Sequence, residues 1–130
     1  MATITKFEDL EIWQKARELN IKINPLLEKL NDFKSYRLKD QLDGSAGSVM
    51  DNIAEGFERD GNREFIQFLA ISKGSLGEVR SQLYRALDRS YIQKEESERL
   101  QEECKTLAGQ IAGFISYLNK AEFKGNKFKK

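Results

Sequence analysis

The chain has 130 residues, one third of them charged, and its 22 lysines and arginines nearly cancel 21 aspartates and glutamates, leaving a net charge of +1. That length is one domain able to bury about 68% of its unfolded surface, and near-neutrality excludes strong global attraction to polyanions. The sequence contains no histidine, which removes the commonest metal ligand and general base, and its single cysteine, Cys104, allows no internal disulfide.

Residues 1–6 lack the apolar core of a signal peptide, and no stretch approaches the roughly 20 apolar residues of a membrane span. The expectation is a cytoplasmic protein with no membrane contact. The first helix is expected to begin near Thr5 or Phe7, because Thr5 and Glu8 have capping-box spacing. Its apolar stripe is Leu10, Trp13, Ala16, Leu19, Ile23, Leu26 or Leu27, and Leu30. Pro25 lacks an N–H and should kink this helix or restart it after an Asn24 cap. The stripe stays in phase across it, which favours a kink. Residues 31–35 read as a short polar connection.

A second helix is expected from about Tyr36 to Phe57, with Leu38, Leu42, Ala46, Val49, Ile53 and Phe57 inward. Gly56 and the stretch Asp60-Gly61-Asn62 should end it in a turn, with Asn62 capping a third helix that runs to about Arg89. The third stripe is Phe65, Leu69, Ser72, Leu76, Val79 and Leu83. After a turn at residues 90–93, a fourth helix should span Lys94 to Lys120. Its early glutamates, Glu95, Glu96 and Glu98, suit the positive end of a helix dipole. Its stripe is Leu100, Cys104, Leu107, Ile111, Phe114 or Ile115, and Leu118. Helices of about 25 residues, roughly 38 Å long and joined by short links, give an all-α, antiparallel up-down four-helix bundle over residues 1–120. Residues 121–130 read as a basic, disordered tail.

Few of the polar constellations point to chemistry. Asn52 and Glu55 lie three apart on one helical edge, and Glu78 sits near Ser75 on the next helix. They could form a carboxylate pair, which needs separated pKa values to do acid–base work. The preferred reading is a structural polar network that fixes helix register. A di-iron carboxylate bundle needs Glu-x-x-His pairs that this chain lacks, so no metal or other cofactor is expected. Cys104 falls on an apolar stripe and reads as a packed thiol. Ser72-Lys73 and Ser75 are a poor serine–lysine pair, because adjacent helical positions diverge.

Small residues are unusually frequent. Gly44, Ser45, Gly47 and Ser48 lie on the second helix, Ser72, Gly74, Ser75 and Gly77 on the third, and Gly109 and Gly113 on the fourth. A helical glycine costs about 1 kcal/mol relative to alanine, so these positions suggest close helix approach. They are too many for one seam, and some are expected to face another subunit. Ile12, Ile21 and Ile66, which fall off the stripes, are expected to join that contact. Basic residues form candidate nucleic-acid contacts. Lys73 and Arg80 share a face with Tyr84 nearby, Arg85 and Arg89 lie on another, and the tail carries Lys124, Lys127, Lys129 and Lys130 interleaved with Phe123 and Phe128.

Phe7-Glu8-Asp9-Leu10, Ile12-Trp13-Gln14-Lys15-Ala16, Leu38-Lys39-Asp40-Gln41-Leu42, Ser48-Val49, Asn52-Ile53-Ala54-Glu55-Gly56, Arg63-Glu64-Phe65, Phe68-Leu69 and Gly74-Ser75 with Glu78 form a set. Together they resemble the bacterial four-helix bundle proteins encoded in intervening sequences of large-subunit ribosomal RNA genes. The resemblance spans residues 7–118. It implies an up-down bundle and, in relatives, a homopentameric barrel. A similar bundle is the accessory protein of diversity-generating retroelements, which binds a reverse transcriptase and nucleic acid. Asp43-Gly44 stand where the family pattern continues with two arginines, so that face loses two positive charges. The combined expectation is a non-enzymatic, homo-oligomeric scaffold or accessory protein acting on RNA or an RNA-processing protein. The alternative is a protein–protein interaction module with no nucleic-acid affinity.

Overall fold

The computed structural model describes residues 3–121. A 3-10 turn, Phe7–Asp9, precedes four helices: α1 Glu11–Asp32, α2 Tyr36–Glu58, α3 Asn62–Asp88 and α4 Lys94–Lys120. Neighbours follow chain order around the bundle, α1 on α2, α2 on α3, α3 on α4, and α4 back on α1. The short links force each helix to run antiparallel to the one before it, which gives the all-α up-down bundle. The α2–α3 pair is the most extensive and the α1–α4 pair the least. Tail residues 124–130, with their four candidate lysines, lie outside the described residues.

The core is one cluster formed from the four stripes. Leu19, Ile23 and Leu30 of α1, Leu42, Val49 and Ile53 of α2, Leu69, Leu76 and Leu83 of α3, and Cys104 and Ile111 of α4 are essentially inaccessible. Each such large aliphatic side chain stabilises the fold by roughly 1.5–3 kcal/mol of transfer free energy before packing effects.

Several local expectations are corrected. Thr5 and Glu8 do not cap α1, because Phe7–Asp9 forms a separate 3-10 turn and α1 begins at Glu11 behind Leu10. That entry turns Ile12 into the core and leaves Trp13 half-buried, edge-on to Phe7 at 5.1 Å. Pro25 lies within one continuous helix, so there is no restart at Asn24. Asn62 is the first residue of α3 rather than its cap. Gly61 takes that position at φ +91°, and Asn62 Nδ2 donates to the Leu118 carbonyl, 3.2 Å away, tying the start of α3 to the end of α4. Gly56 does not end α2. It is buried inside the helix, where an added Cβ would lie 2.7 Å from Phe68 Cβ and 2.9 Å from Phe65 Cδ1. The close approach of α2 to α3 at this point therefore rests on Gly56.

Helices α1 and α3 stop in the same way. Ser35 N–H reaches the Leu30 carbonyl at 2.8 Å and Lys34 N–H the Asn31 carbonyl at 3.0 Å; Tyr91 N–H reaches Ala86 and Ser90 N–H reaches Leu87, both at 2.9 Å. These are paired Schellman closures. Each turns on a non-glycine residue in the left-handed region, Lys34 at φ 60° and Ser90 at φ 61°.

Candidate functional site

The outer face of α2 and α3 holds most of the polar residues that the sequence singles out. Along this seam Arg85 Nη1 donates to Gln41 Oε1 (2.8 Å), Gln82 Nε2 to Ser45 Oγ (3.1 Å), and Ser72 Oγ to the Val49 carbonyl (2.7 Å). Asn52 Nδ2 donates to the Ser48 carbonyl and hydroxyl, each at 2.8 Å, and Ser75 Oγ lies 2.9 Å from Ser48 Oγ. The serines sit here because buried hydroxyls need partners and facing helices supply them. Above the seam a groove of about 610 Å³ is lined by Asp40, Gly44, Ser48, Glu78, Ser81 and Arg85 among others.

The three residues expected to form one buried network do not share an environment. Asn52 is half-buried in the serine network. Glu55 is exposed and bonds Arg59 at 2.7 Å, one turn along its own helix. Glu78 is exposed on the groove wall. The hydrogen bond that Arg59 donates to Glu55, and then the charge of Glu55, raise the Arg59 pKa above its ordinary value. The Arg59 guanidinium also lies over the Phe68 ring, 5.2 Å from its centroid.

The basic residues are spread over several surfaces. Arg80 is half-buried and committed: its Nε donates to Gln101 Oε1 and its carbonyl accepts from Gln101 Nε2, each at 2.9 Å. It therefore fastens α3 to α4 and does not share an open face with Lys73. Arg85 is held by Gln41, while Lys73 and Arg89 are exposed.

The helical glycines divide into two kinds. Gly56 is enclosed, whereas Gly44, Gly47, Gly74, Gly77, Gly109 and Gly113 have open space where a Cβ would stand. The first four therefore serve no helix approach inside the bundle. Of the three isoleucines expected at a subunit contact, Ile12 is buried, Ile66 packs partly against the core, and Ile21 is exposed. Ile71 of α3, which the stripe analysis passes over, is 52% exposed three residues before Gly74.

A second groove, about 690 Å³, follows the α1–α4 seam over Leu19 and Leu107, and the Lys22–Glu103 ion pair at 3.0 Å crosses it. Cys104 is buried, and burial pushes its thiol up to about 12. Among the described residues no group of three or more His, Cys, Asp or Glu side chains could hold a metal ion. No helix there is long and apolar enough to cross a membrane. Sequence reasoning also missed the exposed aromatics Phe33 and Tyr36 at the α1–α2 link. Their position off every stripe and beside a connection was the available signal.

The fold defines an all-α four-helix bundle protein whose neighbouring helices are joined by side-chain hydrogen bonds. A family model of the 23S rRNA-intervening sequence proteins matches residues 8–113, and the chain belongs to that family. A crystal structure of a protein with unknown function from the S23 ribosomal protein family of Bacteroides thetaiotaomicron is similar in fold, with a TM-score of 0.76 and 23% identity over 80% of this chain and 97% of that one. No curated protein matches the chain.

Proposed function

We propose that this protein is a non-enzymatic, cytoplasmic scaffold that self-associates through the outer face of α2 and α3 and presents its basic residues to RNA in several copies. The observation that carries this reading is the set Gly44, Gly47, Gly74 and Gly77, each opening onto empty space. Each costs about 1 kcal/mol of helix stability relative to alanine and gains nothing inside the bundle. A backbone from a second copy could approach closely at such positions, and exposed Ile71 supplies apolar area beside Gly74. The family resemblance suggests a ring of five. In a ring, weak contacts from Lys73, Arg85, Arg89 and the tail lysines Lys124, Lys127, Lys129 and Lys130 would be repeated, and linked contacts raise avidity by roughly 100-fold or more. A chain of net charge +1 could bind RNA in this way.

Sedimentation of the wild type and of a Gly47→Gln, Gly74→Gln double variant tests the proposal. Glutamine is a good helix former, so helix content should hold while close approach is blocked. The wild type should sediment as a multiple of the single-chain mass and the variant as a single chain. A wild type that stays monomeric, or a variant that keeps the oligomeric mass, refutes the face. The second reading, a protein-docking module without RNA affinity, is favoured by the engagement of Arg80 with Gln101 and Arg85 with Gln41. RNA binding that weakens steeply with salt argues against it.

A further inference from the structure

We propose that the end of the bundle carrying the α1–α2 and α3–α4 links is a stacking site for unpaired nucleobases. The proposal rests on the nucleic-acid part of the function above and assigns its bases to a surface outside the tail and the α2–α3 face. Phe33 and Tyr91, one from each link, stack with centroids 4.9 Å apart and planes 25° apart. Phe33 nevertheless remains 56% exposed, and Tyr36, three residues on, is 53% exposed.

These rings stand on rigid supports. The paired Schellman bonds at Lys34–Ser35 and Ser90–Tyr91 fix both links, and Tyr36 is the first residue of a helix. A large aromatic held in water on a fixed backbone offers a π-face at little ordering cost, and every base can stack on it.

The rim is suited to phosphate. Lys34, Arg37 and Arg89 are exposed, and none forms an ion pair among the described residues. The first turn of α2 has no acidic residue, and the Ser35 side chain does not cap it, so nothing there opposes an anion near the first amides. Asp32 and Asp88, together with Glu95 and Glu96 in the first turn of α4, lie at the same end and offset these charges. Stacking therefore carries most of the affinity. With three free cations, the slope of log affinity against log salt for this site should be no steeper than about −2. The same rim makes the patch a poor seat for an apolar partner surface.

The test uses the full chain and a short labelled polyuridine strand, alone and annealed to polyadenosine, over a range of salt. The variants are Phe33→Leu and Tyr36→Leu, which keep apolar bulk and remove the π-face, and a tail variant with Lys124, Lys127, Lys129 and Lys130 replaced by glutamine. Tyr36 is an exposed helical residue, so its variant reports even where Phe33→Leu disturbs the fold. Each leucine variant should bind the single strand at least about fivefold more weakly. The same loss should appear in the tail-variant background, and the duplex should bind less well than the single strand. Wild-type affinity in both leucine variants, equal binding of duplex and single strand, or no binding of either even at low salt overturns the proposal. Sedimentation of the same variants separates the two readings: loss of stacking with an unchanged oligomeric mass supports this site, and a monomeric wild type that still loses affinity on Tyr36→Leu refutes only the α2–α3 contact.

Discussion

Replacing Gly56 by alanine should destabilise the bundle, although the same change at an exposed helical glycine should stabilise it. An alanine Cβ at position 56 would lie 2.7 Å from Phe68 Cβ, about 0.7 Å short of ordinary contact, and 3.4 Å from the Phe65 carbonyl oxygen. Phe68 Cβ cannot rotate away because it is fixed to the α3 backbone, so α2 and α3 must part locally. The Phe65 ring, 2.9 Å away, is itself set edge-on to Phe57 and Phe114 at 6.0 and 5.6 Å. Overpacking of this kind costs about 1–3 kcal/mol, against a helix-propensity gain of about 1 kcal/mol. The net effect is a loss of about 0–2 kcal/mol. Gly109→Ala, with open space around it, should gain about 1 kcal/mol. The two variants should thus differ by about 1–3 kcal/mol, near 4 °C in melting temperature for each kcal/mol. Urea and thermal unfolding followed by circular dichroism, at one fixed protein concentration, measure both. Equal stabilisation by the two alanines would refute the close approach assigned to Gly56.

Ser90→Gly should raise stability by up to about 1 kcal/mol in the same assay, because glycine removes the side-chain penalty at φ 61°; unchanged or lower stability counts against the strain. Arg80→Ala leaves Gln101 Oε1 without its donor, while the bond from Gln101 Nε2 to the backbone carbonyl of residue 80 remains, and should cost about 1–3 kcal/mol, whereas Glu55→Ala, which breaks only an exposed pair, should leave the melting temperature unchanged. Comparable losses in the two would reverse these assignments. Cys104 holds its proton in the folded chain up to about 12, while an unfolded thiol releases it near 9.0. Above pH 9 the unfolded state binds fewer protons than the native one, so stability falls as pH rises through that window. Cys104→Ala should flatten this fall relative to wild type; identical slopes would exclude the thiol as a contributor.

The fold was legible because four long segments repeat apolar residues at helical spacing, and α4 occupies the span that its pattern marks. What escaped was whatever depends on a neighbour. Gly56 resembles a helix terminator when read beside Asp60-Gly61, and its need for glycine comes from Phe65 and Phe68 on the next helix. Ile12 and Trp13 exchange roles because a 3-10 turn changes how the chain enters α1. Glu55 and Glu78 keep company with Asn52 in sequence, but serines make the buried contacts and the carboxylates remain in water. Periodicity tells which side of a helix turns inward. It does not tell which residue of another helix will meet it, and the candidate sites depend on that second fact.

The unequal seams bear on how the chain is made. α2 and α3 adjoin in sequence and are fastened by a row of side-chain hydrogen bonds, so they can pair as a hairpin soon after both have been synthesised. The flank of α1 that faces α4 must wait for the last helix. At about 5–20 residues per second, the 27 residues of α4 take roughly one to five seconds to appear. During that interval Leu19 stands uncovered on the side that Leu107 later closes. Until α4 has been made, the flank of α1 that it later covers has no partner within the chain, so the order of synthesis leaves the α1–α4 seam to close last.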